Sequence, residues 1–365
     1  MKIALVILHA DPARGGAERY TIDLATALLE EGHDVTLLNT TAAQEVAHNL
    51  PSSTLPARGL TRTARYRRFI DSLDAHLNAN SYDIVHAMLP VRRCDVYHPH
   101  AGLAVAAVEA KKGKLQSWFN PRRRAFAQVE RDLLASSPTP VVLALSEYVK
   151  RSIREHYALD DGHLPTLFNA VDLQYSDATG RHALRPPVNA LIVAQDFERK
   201  GLAQAIAAIA ELRDELKLTV VGDDAAGPYR IRAATLGVGD RVRFVGGVSD
   251  TRPYYREADF FVLPTRHDPC SLVVLEALAM GVPVISTRFN GACEIMTDGV
   301  HGYVLDNPND VKSLAAAMKK MLDLRHRTTM SAACLGLRPK LSFENHLHAL
   351  LRIYNHAIAI RANRA

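Results

Sequence analysis

Two carboxylates carry the first chemical signal in this chain: Asp268 and Glu276, separated by seven residues within the stretch from Arg266 to Gly302. Between them, Ser271 precedes the run Leu272-Val273-Val274-Leu275-Glu276-Ala277-Leu278-Ala279-Met280, and Gly281 follows it. This pattern predicts a helix with an N-cap serine and a glycine stop. At about 1.5 Å of rise per residue, Glu276 lies one to two turns into the helix, with Asp268 just ahead of it. The backbone N–H groups of Ser271, Leu272 and Val273 have no partner inside such a helix and carry the positive end of its dipole, so they suit an anion or a sugar hydroxyl. Two acids bordering that helix start can grip a polyhydroxylated ligand through its OH groups. A charged Glu276 on an otherwise apolar helix also calls for a partner.

Other residues fit the same chemistry. Arg199-Lys200-Gly201 follow the apolar run Asn189 to Ala194 and its loop, and they precede an alanine-rich helical pattern. At a strand-to-helix crossing Arg offers a planar fork and Lys a point charge, which together neutralise a diphosphate; elsewhere the pair is ordinary surface. Gly15 and Gly16 sit in the loop after the run from Lys2 to Leu8. They let a backbone approach a diphosphate, but the full GxGxxG fingerprint is absent and a tight turn explains them equally well. His98 and His100 close the run Cys94-Asp95-Val96-Tyr97. Parallel strands deliver their C-terminal ends to a ligand crevice, although a turn histidine bonded to backbone fits the same position.

These residues need strands that end beside them. Continuous apolar runs at 2–8, 34–38, 82–86, 94–97, 140–145, 189–194, 218–221, 242–245, 260–263 and 303–305 read as buried parallel strands, with helical patterns between them. The fold class is therefore α/β, in two doubly wound, Rossmann-like halves. A chain of 365 residues suits two domains. We place them at 1–183 and 188–340, joined through Arg185-Pro186-Pro187, with a terminal helix in 341–365.

Composition narrows the partners. The formal charge is +5 and the pI about 9.0, which favours nucleotides, phosphorylated acceptors, anionic lipid or nucleic acid. No recognised nucleic-acid-binding module is present, so nucleic acid is not expected as a partner. One basic run holds Arg58, Arg62, Arg65, Arg67 and Arg68; a second holds Lys111, Lys112, Lys114, Arg122, Arg123 and Arg124 around Trp118 and Phe119. Such runs are often plain solvated surface, and the second, with its aromatics, equally suits an anionic membrane face. Cys94, Cys270, Cys293 and Cys334 lack metal-ligand spacing, and no apolar run reaches the roughly 20 residues of a membrane span. The N-terminal run reads as a strand rather than a signal peptide, because Asp11 and Arg14 follow at once. These features point to the cytoplasm, with the inner membrane face as a peripheral docking site.

The series Asp268-Pro-Cys-Ser-Leu-Val-Val-Leu-Glu276, Gly281-Val-Pro-Val-Ile, Gly291-Ala-Cys-Glu294-Ile and Asp298-Gly299-x-x-Gly302 resembles the donor-binding segment of the retaining glycosyltransferases of family 4. Within that family the chain resembles the bacterial lipopolysaccharide-core glucosyltransferases. It departs from the usual pattern at Asp268 (usually Glu), Cys270 (an aromatic), Ser271 (Gly) and Ala170 (Gly). The resemblance implies a GT-B arrangement: two Rossmann-like domains facing a central cleft, acceptor in the first, nucleotide in the second, and a terminal helix returning to the first. It implies transfer of a hexose, glucose foremost, from a UDP-sugar to a lipopolysaccharide-core or other glycan or glycolipid acceptor. Asp268 would then hold sugar hydroxyls, Glu276 the ribose, Arg199 and Lys200 the diphosphate, and Gly15 and Gly16 the donor phosphate and acceptor. The resemblance expects an acid shortly after Asp-Val-Tyr; none stands there, and His100 is the nearest polar candidate for an acceptor-side catalytic role. No cofactor beyond the donor substrate is expected, and no metal, since the chain has no Asp-x-Asp pair. A sugar-nucleotide epimerase and a non-catalytic sugar-nucleotide-binding subunit are the alternatives.

Overall fold

The computed structural model describes residues 1–109, 121–173, 187–212 and 216–363. The chain divides into two compact units, one formed by Met1–Phe168 with Phe343–Ala365 and the other by Asn169–Ser342. In the first unit, six strands run in the spatial order Ser52–Thr54, Asp34–Asn39, Lys2–Val6, Ile84–Ala87, Val96–Tyr97, Val141–Val142. In the second the order is Val242–Gly246, Leu216–Val221, Val188–Val193, Phe260–Leu263, Val284–Thr287, Gly302–Leu305. Both sheets are parallel throughout. Each therefore starts at its centre, grows to one edge, then returns and grows to the other. The strand order reverses beside the first strand of each unit, and there the helices diverge and leave a crevice at the strands' C-terminal ends.

The strands sit deep because helices cover both faces. Ile3, Ala4, Leu5 and Val6 are fully buried, as are Leu191 and Ile192 in the second sheet. In the first unit the helix Arg62–Ala79 starts at Thr61, whose hydroxyl accepts the Ala64 amide at 3.0 Å. It buries Tyr66, Phe69, Ile70 and Leu73, the i, i+3, i+4, i+7 stripe of an amphipathic helix. Each such side chain contributes about 1.5–3 kcal/mol when fully buried. Tyr66 also stacks on Phe126, with ring centroids 4.1 Å apart, and donates to the Pro90 carbonyl at 2.8 Å.

The boundary between the units differs from the sequence expectation. Residues 169–173 belong to the second unit, because the Asn169 amide group donates to the Cys270 carbonyl at 3.2 Å and the Val171 amide to the Leu341 carbonyl at 2.9 Å. The sequence reading ends the first domain at 183, ahead of Pro186-Pro187, and the long segment of the first compact unit ends at Phe168. The helix Phe343–Ala362 packs within the first unit, burying Leu347, Leu350, Tyr354 and Ala357. Near its end Arg361 bonds the Asp95 carboxylate at 2.9 Å and the Asp83 carbonyl at 2.8 Å.

Candidate active site

In the second unit, the strands Val188–Val193 and Phe260–Leu263 are neighbours at the reversal point. Their outgoing loops carry Arg199-Lys200 and Asp268, and these loops are stitched together. The Arg266 amide donates to the Arg199 carbonyl at 2.9 Å, and the Thr265 hydroxyl reaches the same oxygen at 3.2 Å. Gly201 makes the crossing possible. It adopts φ +78°, and a Cβ there would run into the Pro264 carbonyl oxygen.

Lys200 and Asp268, 68 positions apart in sequence, form a direct ion pair with side chains only 11% and 9% exposed. Burial alone would raise the Asp268 carboxyl. The Lys200 ammonium, Arg199 and the Ser271 hydroxyl outweigh it and hold the group below its usual range. Arg199 directs Nε to Asp196 at 3.0 Å and Nη1 to the His267 carbonyl at 2.8 Å. His267 is pushed below the ordinary histidine range, first by burial and then by the charges of Arg199 and Lys200, against the opposing pull of Asp268. Without Lys200 the buried Asp268 carboxylate would lose its counter-charge.

The helix Leu272–Ala279 begins directly after this cluster. Ser271 occupies its N-cap position without capping it: the side chain hydrogen-bonds Asp268 instead. The Ser271 amide is taken by Asn290 Oδ1 at 3.3 Å. Asn290, itself buried, also receives the Ala292 amide at 3.1 Å, while the Asp268 amide and carbonyl bond Phe289 and Gly291. The glycine stop is realised: Gly281 at φ +65° donates to the Leu278 carbonyl at 2.9 Å, and Val282 to the Ala277 carbonyl at 2.8 Å. Glu276 is half-buried on the second turn and accepts from the Tyr255 hydroxyl at 2.8 Å. Tyr255 and Asn290 escaped the sequence reading. Nothing local marks Tyr255, 21 positions from its partner, whereas Asn290 does carry a signal in standing directly before Gly291.

The first unit gathers different groups. Gly15 is the N-cap of the helix Gly16–Glu30 in extended conformation, and Gly16 is exposed. His98 and His100 follow the strand Val96–Tyr97 and are both buried, His100 at 9% exposure. They belong to an aromatic cluster with Tyr20, His86, His346 and Tyr354. Tyr20 and His346 are 2.8 Å apart, His86 Nδ1 and the Tyr354 hydroxyl 2.7 Å, and His86 Nε2 and His98 Nδ1 3.3 Å. Burial, then the charges of His346 and His100, take His86 from 6.5 to about 3. Burial likewise takes His346 to about 4, against a hydrogen bond with the Phe168 carbonyl. His98 and His100 are thus members of one buried ring cluster in which His86, His98 and His346 are all held below the ordinary histidine range, burial first.

Arg58, Arg62, Arg65, Arg67 and Arg68 are all exposed, and Leu60 among them is fully exposed. Lys111, Lys112, Lys114, Trp118 and Phe119 lie outside the described residues. Among the described residues no three metal-ligating side chains cluster, and no helix is long and apolar enough to cross a membrane.

Residues 188–324 match the family model described as Glycosyl transferases group 1, and residues 14–175 the model described as Glycosyltransferase Family 4. The lipopolysaccharide glucosyltransferase WaaG of Escherichia coli strain K12 is 24% identical over 323 residues, which cover 84% of this chain and 86% of that protein. The crystal structure of WaaG, a glycosyltransferase involved in lipopolysaccharide biosynthesis, aligns with a TM-score of 0.80 at 22% identity, over 92% of this chain and 95% of that one. Anabaena Alr3699/HepE in complex with UDP and glucose aligns with a TM-score of 0.72 at 17% identity, over 96% and 98%. At these identities the structural matches speak for the fold.

Proposed function

Because this chain belongs to the family 4 glycosyltransferases and has their GT-B fold, we propose that it transfers a hexosyl group, glucose foremost, from a UDP-sugar to a lipopolysaccharide-core or other glycan acceptor with retention of configuration. The observation that carries this reading is the convergence of Arg199, Lys200, Asp268 and Glu276 at the reversal point of one sheet. Lys200 has three donors, so it can hold Asp268 with one and offer the others to a diphosphate. Arg199 and the Leu272 and Val273 amides add positive potential where charge grows on the leaving group. Asp268, kept ionised by Lys200, accepts from sugar hydroxyls, and Glu276, oriented by Tyr255, accepts from the ribose. His100 stands at the end of an acceptor-side strand, at the rim of the histidine cluster. The exposed Leu60 and its neighbouring arginines favour peripheral docking on an anionic membrane face.

Purified chain is incubated with UDP-, GDP- and ADP-sugars, with and without lipopolysaccharide-core acceptors, and nucleotide release is measured. Acceptor-dependent release of UDP is expected. Interconversion of sugar nucleotides without acceptor would establish an epimerase, and binding without turnover a non-catalytic subunit.

A further inference from the structure

A cavity of about 670 Å³ opens in the first unit at the C-terminal ends of the strands Ile84–Ala87 and Val96–Tyr97. Met88, Leu89, Leu103 and Phe126 supply an apolar wall, and Arg62, Arg122 and Arg123 also line the cavity. Among the described residues no carboxylate lines it. The acid behind it, Glu130, is fully buried and already accepts from the Tyr97 and Tyr157 hydroxyls and the Ala104 and Val105 amides, at 2.6, 3.1, 2.8 and 3.1 Å. Neither Arg62 nor Arg122 forms an ion pair among the described residues; Arg122 lies over the Phe126 ring at 5.2 Å. Burial, then the charges of Arg62 and Arg14, push the Arg122 guanidinium below its usual range.

Arg62 is exposed and Arg122 half-buried, and two like charges without a carboxylate partner at one opening favour an anion between them. We propose that this cavity is an acceptor subsite for a phosphomonoester, the phosphate held between Arg62 and Arg122 and the C–H face of the adjoining sugar laid on the apolar wall. The proposal rests on the glycosyltransferase reading and adds the charge of the acceptor to it. Phosphate suits the site better than a neutral hydroxyl because it accepts planar, two-pronged bonds from guanidinium. The apolar wall distinguishes a phosphorylated sugar from a bare ion.

The test titrates the full chain, saturated with UDP so that the second unit's diphosphate site is filled, with glucose 6-phosphate, glucose, inorganic phosphate and sn-glycerol 3-phosphate. Glucose 6-phosphate should bind more tightly than the other three. Arg62→Gln and Arg122→Gln should each weaken it by about tenfold or more, with UDP affinity and melting temperature unchanged, and Arg122→Lys should fall between. Equal binding of inorganic phosphate would leave a simple anion site, and equal binding of sn-glycerol 3-phosphate a lipid-headgroup site. Either result overturns the proposal, as does absence of glucose 6-phosphate binding or unchanged affinity in both glutamine variants. Loss of UDP binding by the parent chain would instead count against the donor reading.

Discussion

The two units share one strand order and settle charge at their crevice ends in opposite ways. In the second, each charged group implicated in the donor site has a partner: Lys200 with Asp268, Arg199 with Asp196, Glu276 with Tyr255. Its two key loops span only residues 194–201 and 264–271, and backbone hydrogen bonds tie them together. In the first, Arg62 and Arg122 line a cavity that no carboxylate among the described residues reaches, and burial holds His86, His98 and His346 below the ordinary histidine range. Between the strands Val96–Tyr97 and Val141–Val142 the first unit runs from 98 to 140 before returning to its sheet. The same scaffold thus carries charge-paired groups on two short, stitched loops in one unit and a cavity lined by arginines in the other.

The strongest way to break the comparison is to unpair the second unit. Lys200→Ala leaves Asp268 ionised and buried without its counter-charge, which should cost about 3–5 kcal/mol of stability and abolish turnover. Lys200→Ala with Asp268→Asn should regain most of the stability but not the turnover. Thermal melts and steady-state assays read both; an unchanged melting temperature in the single variant would show that the ion pair is not what holds the two loops.

Glu276→Ala should weaken UDP and every UDP-sugar by about 10- to 100-fold, the loss of a hydrogen bond to a charged group. Asp268→Glu, which keeps the charge and lengthens the reach, should spare UDP and alter the preference between UDP-glucose and UDP-galactose. Inhibition and kinetic measurements on the two variants separate these roles. Unchanged UDP affinity in Glu276→Ala would remove it from the ribose.

Acid sharpens the contrast between the units. A histidine whose folded pKa lies below its unfolded 6.5 binds its proton more readily in the unfolded chain. Its neutral burial therefore stabilises fully above 6.5, and the contribution is lost as pH falls from there toward about 3 for His86 and about 4 for His346. Each contributes a slope of up to about 1.4 kcal/mol per pH unit in that window. In the second unit Asp268, lowered instead, loses its contribution only below its ordinary 3.8, and His267 is lowered by burial but stands outside any hydrogen-bonded histidine cluster among the described residues. Hydrogen exchange between pH 7 and 4.5 should show protection lost first around Tyr20, His86 and the helix Phe343–Ala362. Uniform loss across both units would contradict this.

The smallest effect belongs to the exposed arginines. Arg65→Ala with Arg68→Ala should leave stability and UDP affinity within experimental error and weaken binding to phosphatidylglycerol vesicles. That binding should also fall with added salt, since surface charges are screened within about 10 Å at 0.1 M.

What was readable from sequence was what is local in sequence. Asp268, Ser271, Glu276 and Gly281 lie on one loop and helix, so spacing alone placed them together. Arg199 and Lys200 were readable because a strand and a helix bracket them. That Lys200 grips Asp268 was not, because 68 residues separate them and only the sheet order makes them neighbours. Ser271 shows the limit even within a motif: its N-cap position was right, but its hydroxyl turns to a stronger acceptor, the ionised Asp268. The histidine cluster draws on residues up to 326 positions apart, so His98 and His100 looked like separate strand-end groups. The bonds of residues 169–173 are non-local in the same way, since they reach to Cys270 and Leu341.

The helix Phe343–Ala362 gives the chain an unusual schedule. Asn169–Ser342 is one uninterrupted segment, whereas the other unit is assembled from two pieces that bracket it. During synthesis from the N-terminus, Met1–Phe168 emerges first but lacks the helix that supplies Tyr354 to His86 and His346 to Tyr20. The segment made second can close while the one made first still exposes an unfinished apolar seam. The unit begun first is thus completed after the one begun second, and a chain cut short before Phe343 would carry one finished unit and one left open.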